Sequence, residues 1–229
     1  MELTVASYNV HECRGNDGQR QPQRVAAVME ELDAHVLALQ EVHSAFPEGS
    51  PEHQASWLAR ATGLKPVEGW TLTRDGGRYG NLLLTSLAVL ESRRHDLSVP
   101  GREPRGALEV VLRARGPLRV FGTHLGLDRA ERRSQLARLL ALLDERDDPV
   151  LLLGDLNEPT PWGPVSRSLR RRLPRWRAPR SFPARWPSFA LDVIAASTEL
   201  ELQGVHAHRS PNARQASDHL PVCGRLLMR

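Results

Sequence analysis

Short apolar runs and stretches of alternating apolar and polar residues recur along the chain, and both patterns are typical of β-strands. The alternating stretches have one face in the core, while the continuous runs are typical of strands buried on both faces. The predicted strands are Leu3–Asn9, Val36–Glu41, Asn81–Thr85, Ala107–Arg113, Leu118–His124, Val150–Asp155, Leu191–Ala195, Glu201–His206 and Pro221–Leu227.

Helical spacing of apolar residues appears in three segments, Pro22–Leu32, Glu52–Thr62 and Arg129–Arg146. In the last segment, four leucines form one apolar stripe that a helix would turn toward the core. Asp128 is a suitable N-cap for this helix, and Glu131 three residues later completes a capping box.

Several predicted strands follow one another without an intervening helix. This order argues against a simple alternating βαβ sheet and favours two packed sheets with helices outside, an α/β (α+β) arrangement. The 229 residues fit one large domain that spans residues 1–229.

Arginine carries the positive charge of this protein. The net charge is +4, the isoelectric point is about 9.8, and Lys65 is the single lysine. Phosphate recognition is one interpretation, because the guanidinium group matches phosphate oxygens. General use of arginine in place of lysine is the other.

One segment, Ser168–Pro187, is dense in arginine, proline and tryptophan, and its pattern predicts a helix end followed by a long loop. There Trp176 and Trp186 interleave with the arginines, as in surfaces that meet nucleic acid or lipid. A solvated loop is the alternative.

The sequence shows no apolar run near the roughly 20 residues that a membrane helix needs. Its first residues resemble a strand rather than a signal peptide, so we expect a cytoplasmic protein. Two cysteines, Cys13 and Cys223, do not make a disulfide framework.

Polar residues of a restricted kind stand at the ends of the predicted strands. Each one alone is explained by capping of a turn. Together they are harder to explain in that way, because hardly a serine or lysine occurs among them, and they favour one site: Asn9, Glu41, His124, Asp155, Asn157, Asp192, Asp218 and His219.

The chemistry of this set suits metal-assisted attack on a phosphate ester. Glu41 and Asp218 are hard oxygen donors and Asn9 is a neutral one, a set suited to Mg²⁺ that keeps several waters. A histidine beside a carboxylate, as His219 would be beside Asp192, becomes more basic and takes a proton from water.

Phosphoryl oxygens that gain negative charge need hydrogen-bond donors, and Asn157 and His124 are the candidates. The sequence has no serine or cysteine in a recognisable nucleophile motif. Direct attack by water is therefore favoured over a covalent enzyme intermediate.

The ordered motifs "SYNVH", "LALQEV", "GNLLLTS", "THLG", "GDLNEP", "LDVI" and "SDHLP" resemble those of the endonuclease/exonuclease/phosphatase superfamily. The resemblance runs from Leu3 to about Leu226 and is greatest to small bacterial members. It implies a four-layered α/β sandwich, Mg²⁺ as cofactor with Mn²⁺ as a substitute, and hydrolysis of a phosphodiester. It also implies roles for residues: metal binding by Asn9 and Glu41 with Asp218 close by, water positioning by Asp155, phosphate binding by Asn157 and His124, and a His219–Asp192 pair.

Asn81 in "YGNLLLTS" and Arg105 in "REPRGAL" fall at positions that resemble substrate-binding residues of the family. Asn81 has strand capping as its alternative, and Arg102 competes with Arg105 for a phosphate contact. His11 and Glu12 follow the Asn9 motif and either line the cleft or belong to a solvated loop.

The substrate stays open at this point. Nucleic acid and lipid head groups, including phosphoinositides, all fit a phosphodiesterase of this kind, which we expect to be a monomer. A non-catalytic module that kept the fold is the alternative of another class.

Overall fold

The computed structural model describes residues 1–45, 53–160 and 162–228. Its strands are β1 Glu2–Asn9, β2 Val36–Ala45, β3 Lys65–Arg74, β4 Gly77–Thr85, β5 Ala88–Asp96, β6 Gly106–Arg113, β7 Pro117–His124, β8 Val150–Asp155, β9 Arg175–Arg177, β10 Asp192–Ala196, β11 Leu200–Ala207 and β12 Val222–Met228. Its helices are α1 Pro22–Leu32, α2 Gln54–Thr62, α3 Arg129–Leu143, α4 Pro164–Arg172 and α5 Pro211–Ala216, with a short 3-10 turn at His11–Cys13.

The strands form two six-stranded sheets, one in the order β11-β12-β1-β2-β4-β3 and the other in the order β5-β6-β7-β8-β10-β9. Both sheets are mixed, because β1 and β2 are parallel, as are β7 and β8, among otherwise antiparallel neighbours. One apolar cluster fills the space between the sheets. Helices α1, α2 and α5 cover the outer face of the first sheet, and α3 and α4 cover the second. The predicted four-layered sandwich is confirmed.

Strand alternation decides which side chains enter the space between the sheets. In β1, Leu3 and Val5 pack into the central cluster, whereas Ala6 and Tyr8 pack outward against helices. Side chains two residues apart share a face, so Asn9 at the end of β1 points inward as Val5 does. The same count places three further polar residues at inward-facing strand ends: His124, Asp155 and Asp192.

Every predicted strand occurs, with ends shifted by a few residues. Three strands, β3, β5 and β9, and the helix α5 had no prediction, and only the end of α4 was predicted. β5 shows why, because it is an edge strand and most of its residues are exposed, so that it carries little apolar alternation. The third predicted helix ends at Leu143, and residue 52 of the second lies outside the described residues.

The prediction for Ser168–Pro187 is wrong in part. The segment contains the end of α4 and the short strand β9 before its loop begins. Trp176 on β9 is only 8% exposed and packs in the cluster beneath α3 and α4, with the Arg170 guanidinium 5.4 Å from its ring centre. Trp186, in contrast, is 81% exposed. The arginines of this segment therefore do not alternate with two exposed tryptophans.

None of the helices in the described part of the chain combines the length and apolar character that a bilayer crossing requires.

A fully buried arginine anchors α3 to the second sheet. The Arg119 Nε donates to Glu109 Oε1 at 2.7 Å, and its terminal nitrogens donate to the carbonyl oxygens of Leu142, Leu143 and Arg146 at 2.8, 3.4 and 3.3 Å. These carbonyls belong to the last turn of the helix and the residues after it, where no intrahelical partner exists. One side chain thus satisfies both a buried carboxylate and a helix end.

We expect Arg119→Met to lower the free energy of unfolding by about 3–5 kcal/mol, because Glu109 loses its buried arginine and keeps only His95, and three carbonyls lose a donor. Urea denaturation followed by circular dichroism measures the loss. Arg133→Met on the exposed side of α3 is the matched control and should change stability by less than about 0.5 kcal/mol. Equal effects of the two substitutions would contradict the anchoring role.

Candidate active site

The inward-facing strand ends meet at one end of the sandwich. On the second sheet, His124, Asp155 and Asp192 are direct neighbours in register. From the first sheet, the Asn9 side chain donates from Nδ2 to Asp155 Oδ2 at 3.1 Å and to Glu41 Oε1 at 2.9 Å. Asn9 therefore joins the two sheets through the Asp155 carboxylate.

Glu41 reaches this site because β2 contains a bulge. Simple alternation would send its side chain outward with Leu37 and Leu39. Between Leu39 and Val42 the pairing with β4 shifts by one residue, and Glu41 adopts a left-handed backbone with φ of +57°. Such a conformation is costly for a residue other than glycine, and it turns the carboxylate toward Asn9.

The turn after β8 holds Asp155 and Asn157 in one arrangement. The Asn157 backbone N–H donates to Asp155 Oδ1 at 2.9 Å, and Asn157 has a left-handed φ of +49°. Its amide Nδ2 donates to Leu125 O at 2.9 Å and lies 3.0 Å from His124 Nε2. Gly154 lets β7 and β8 approach closely here, since a Cβ would stand 2.3 Å from the Thr123 carbonyl oxygen.

His219 and Asp192 form a buried pair. His219 Nδ1 is 2.9 Å from Asp192 Oδ2, and the Ser181 hydroxyl donates to the same oxygen. The other ring nitrogen, Nε2, lies 3.6 Å from Asp155 Oδ2. Burial alone would lower the pKa of His219, but Asp192 and Asp155 outweigh burial and raise this pKa to about 10. The ring is therefore favoured in its doubly protonated form.

His124, in contrast to His219, favours the neutral form of its ring. Burial, followed by the positive charge of Arg105, lowers the pKa of His124 to about 3. Arg105 Nη1 lies 2.9 Å from His124 Nδ1, and because arginine only donates, Nδ1 is the accepting nitrogen. Asn157 Nδ2 faces the other ring nitrogen, Nε2, at 3.0 Å, and Nε2 also lies 3.6 Å from Asp155 Oδ2.

The two predicted substrate-binding residues line one cavity of this site. Asn81 and Arg105 border it together with Glu41 and His124. The Asn81 amide donates to Gly106 O at 3.1 Å. Arg102, the competing arginine, is exposed and lies 3.8 Å from Asp128. The structure therefore brings Arg105, and not Arg102, into contact with the site.

Asp218 lies beside the turn that follows β1. Its Oδ1 is 3.7 Å from Nδ1 of His11, and the Ser217 hydroxyl next to it donates to Asn9 O at 2.8 Å. Glu12, the other residue of this turn, is bonded to Arg20 and Arg74 instead. His11 thus borders the candidate site, whereas the Glu12 carboxylate serves to hold the turn.

The carboxylates of this site fit a hard divalent cation. Burial raises the pKa of Glu41, and the charges of Asp218 and Asp155 raise it further. The side chains of Glu41 and Asp218 stay 22% and 35% exposed, which leaves access for an ion that keeps part of its water shell. Asn9 presents its NH₂ group to the carboxylates, while its oxygen accepts from the His11 N–H at 3.0 Å. In this arrangement Asn9 orients the Glu41 carboxylate and does not present its own oxygen to a metal ion.

Another acidic and histidine group has the spacing of a possible metal site. The ligand atoms of Asp155, Asp192 and His219 lie within 4.8 Å of one another, and all three residues are buried. Here the ring and Asp192 already share a hydrogen bond, and the raised pKa of His219 makes its proton compete with a metal. Glu41 and Asp218 suit a solvated Mg²⁺ better.

Three residues of the site were not predicted. Ser181 bonds to Asp192, Ser217 bonds to the Asn9 backbone, and the Phe182 ring lies 4.7 Å from the His219 ring between centres. Ser217 stands inside the "SDH" motif, so its position was a usable signal. Ser181 and Phe182 belong to the arginine-rich segment, where no spacing pointed to them.

The chain belongs to the Endonuclease/Exonuclease/phosphatase family, whose model matches residues 6–219. It is a phosphoesterase-like hydrolase by that membership. "Uncharacterized protein YbhP" of Escherichia coli (strain K12) is 30% identical over 220 residues, which cover 83% of this chain and 82% of that protein.

Solved structures share the fold. The endonuclease/exonuclease/phosphatase from Beutenbergia cavernae has a TM-score of 0.76 at 22% identity, covering 99% of this chain and 72% of that one. The mannosyl-6-phosphatase Bt3783 of Bacteroides thetaiotaomicron has a TM-score of 0.74 at 18% identity, covering 99% of this chain and 100% of that one.

Glu41→Gln should have opposite effects on stability without and with metal. The raised pKa of Glu41 means that its carboxylate destabilises the metal-free protein as pH rises above its unfolded value of about 4.3, so the amide should be more stable at pH 7. With Mg²⁺ added, wild type should gain thermal stability and the variant should gain little. Thermal melts in EDTA and in a Mg²⁺ series measure both effects.

Glu30→Gln on the exposed face of α1 is the control and should respond to Mg²⁺ as wild type does. An undiminished Mg²⁺ response in Glu41→Gln would remove Glu41 from the metal site.

Proposed function

We propose that this protein hydrolyses phosphodiesters by direct attack of water, with a divalent metal as cofactor. The observation that supports this most is the environment of one atom, Asp155 Oδ2. It faces Nε2 of both His124 and His219 at 3.6 Å and accepts a hydrogen bond from Asn9. A carboxylate held among fixed donors is suited to orient a water molecule for attack on phosphorus.

Asp155 is our candidate for the group that takes the proton of the water. The sequence predicted His219 for that task, and the structure gives a physical reason to prefer Asp155. A ring whose pKa is raised to about 10 carries both protons at neutral pH, and so it donates rather than accepts.

His219 and Asn157 would then stabilise the phosphoryl oxygens as negative charge develops. Asp192 holds the His219 ring through Nδ1, which leaves the Nε2 proton to point into the site. The left-handed turn at Asn157 fixes its amide beside Leu125 O and the His124 ring. Donors fixed before the reaction lower the barrier because they need no reorganisation.

His124 with Arg105 forms the third side of the site. The His124 ring is neutral, and the guanidinium behind it adds a positive charge that suits a phosphate. Asn81 lines the same cavity and is positioned to contact the substrate.

We assign the metal to Glu41 and Asp218, with Asn9 holding Glu41 in place. Mg²⁺ fits this oxygen set, and Mn²⁺ would substitute for it. When bound, the cation would neutralise charge on the phosphoryl oxygens. We also expect the protein to be a cytoplasmic monomer with a single domain.

The test is a substrate panel assayed with Mg²⁺, with Mn²⁺ and with EDTA. It includes bis-p-nitrophenyl phosphate, plasmid DNA, RNA, phosphoinositides, phosphatidylglycerol and, because Bt3783 is a phosphatase, p-nitrophenyl phosphate. We expect metal-dependent hydrolysis of the diester, reduced at least about 10³-fold by Asp155→Asn. Activity that survives EDTA, or activity on the monoester alone, would contradict the proposal.

A double-variant cycle tests whether His219 and Asp192 act as one unit. If Asp192 serves to hold the His219 ring, then His219→Ala, Asp192→Ala and the double variant should have similar residual rates on bis-p-nitrophenyl phosphate. Ser181→Ala removes only one hydrogen bond to Asp192 and should cost far less. Losses that multiply in the double variant would show that the two residues act separately.

A further inference from the structure

Four large apolar side chains stand in solvent on three loops beside the candidate active site. Leu127 is 75% exposed, Trp162 79%, Trp186 81% and Phe189 45%. They belong to the loop after β7, the loop after β8 and the loop before β10. Single exposed apolar residues are common, but a group of this size on neighbouring loops marks an interaction surface. We call these four residues the apolar rim.

The three loops leave the second sheet side by side. The Leu125 N–H donates to Asp155 O at 3.0 Å, and the Leu156 N–H donates to Leu191 O at 2.9 Å. The loop before β10 also reaches the other side of the site, where the Ala184 N–H donates to Asp218 O at 2.6 Å. The Phe182 ring of this loop contacts the His219 ring at a tilt of 43°. The apolar rim is therefore continuous with the residues that would bind the phosphate.

The backbone that carries the apolar rim is fixed. Arg132 donates to Gly126 O at 3.1 Å and to Leu127 O at 2.5 Å. The Trp186 N–H donates to Pro183 O at 3.0 Å, and the Phe189 N–H donates to Phe182 O at 2.8 Å. These bonds hold the backbone at Leu127, Trp186 and Phe189 in place, although burial of their side chains would be favourable. The exposure of these apolar side chains is explained if they insert into another apolar phase.

Arginines outnumber acidic residues near the apolar rim, where Asp128 follows Leu127 directly. Arg129 follows Leu127 by two residues, Arg185 precedes Trp186, and Arg180 stands at the start of the same loop; all three are exposed. Residues 178–191 contain no Asp or Glu, and their two charged residues are Arg180 and Arg185. The surface therefore complements an anionic partner.

We propose that the apolar rim docks this protein on an anionic phospholipid surface, so that the active site meets phosphodiester head groups there. Trp and Phe side chains beside arginines are typical of proteins that insert into the headgroup region. The rim protrudes, and it includes an aliphatic Leu127 that does not stack on nucleobases, which favours lipid over nucleic acid. The choice of lipid as substrate rests on the proposed function, whereas the docking itself does not.

The docking is tested by co-sedimentation of the full chain with vesicles in EDTA, where no turnover takes place. Vesicles of equimolar phosphatidylcholine and phosphatidylglycerol are compared with pure phosphatidylcholine. The test variant carries Leu127→Ser, Trp162→Ser, Trp186→Ser and Phe189→Ser. The control variant carries Val89→Ser and Leu90→Ser, two exposed apolar residues of β5 at the strand end away from the site.

We expect wild type and the control to bind the anionic vesicles, with a blue shift of tryptophan fluorescence, and the test variant to bind at least about tenfold more weakly. Thermal melts should be alike, because the substituted side chains are exposed. Hydrolysis of soluble bis-p-nitrophenyl phosphate should be equal in all three proteins. If that hydrolysis is absent from all three while vesicle binding differs, the proposed function fails and the docking surface stands.

The docking proposal is overturned if wild type does not bind anionic vesicles, or if the test and control variants lose binding equally. It is also overturned if single-stranded oligonucleotide, and not lipid, shifts the tryptophan fluorescence through the rim. Concentration-dependent dimerisation that the test variant abolishes, without vesicle binding, would mean that a second copy covers the rim.

Discussion

The buried carboxylate of Asp155 is the contact on which the site depends. It stands at the end of β8 in the second sheet and accepts a hydrogen bond from Asn9 of the first sheet. A buried carboxylate needs donors, and the strand ends that surround it supply them. Burial and then the charge of Arg105 lower the pKa of His124, whereas Asp192 and Asp155 outweigh burial and raise the pKa of His219, so the two rings around this oxygen favour opposite protonation states.

The part of the site that follows strand alternation could be predicted from the sequence. Asn9, His124, Asp155 and Asp192 continue the inward-facing positions of strands whose apolar residues fill the central cluster. Successive side chains of a strand point to opposite faces of the sheet. The residues that share a face are therefore known even where both faces are apolar. The strands β3 and β5 escaped prediction because sheet edges bury less and carry a weaker pattern.

The rest of the site depends on backbone irregularities and loops that hydrophobic periodicity in the sequence does not predict. Glu41 points into the site only because of the bulge in β2, and its left-handed backbone cannot be read from "LALQEV". Ser181 and Phe182 reach Asp192 and His219 from an irregular loop in which no periodicity marks them. The motif resemblance supplied Glu41, whereas neither pattern nor resemblance supplied the loop residues.

The chemistry and the proposed lipid surface are linked through one loop. Residues 181–189 carry Ser181 and Phe182 on the side of the catalytic pair and Trp186 and Phe189 on the side of the solvent. A loop bonded to both Asp192 and Asp218 would keep the distance between a lipid surface and the site constant. Substrate access and catalytic geometry would then be set by the same backbone.

The most direct test of the account is the stereochemical course at phosphorus. A phosphorothioate diester of defined configuration is hydrolysed in ¹⁸O-labelled water, and the configuration of the product is determined by ³¹P NMR. Direct in-line attack by the water at Asp155 predicts inversion, because one displacement takes place. Retention would show two displacements through a covalent enzyme intermediate and would contradict the account.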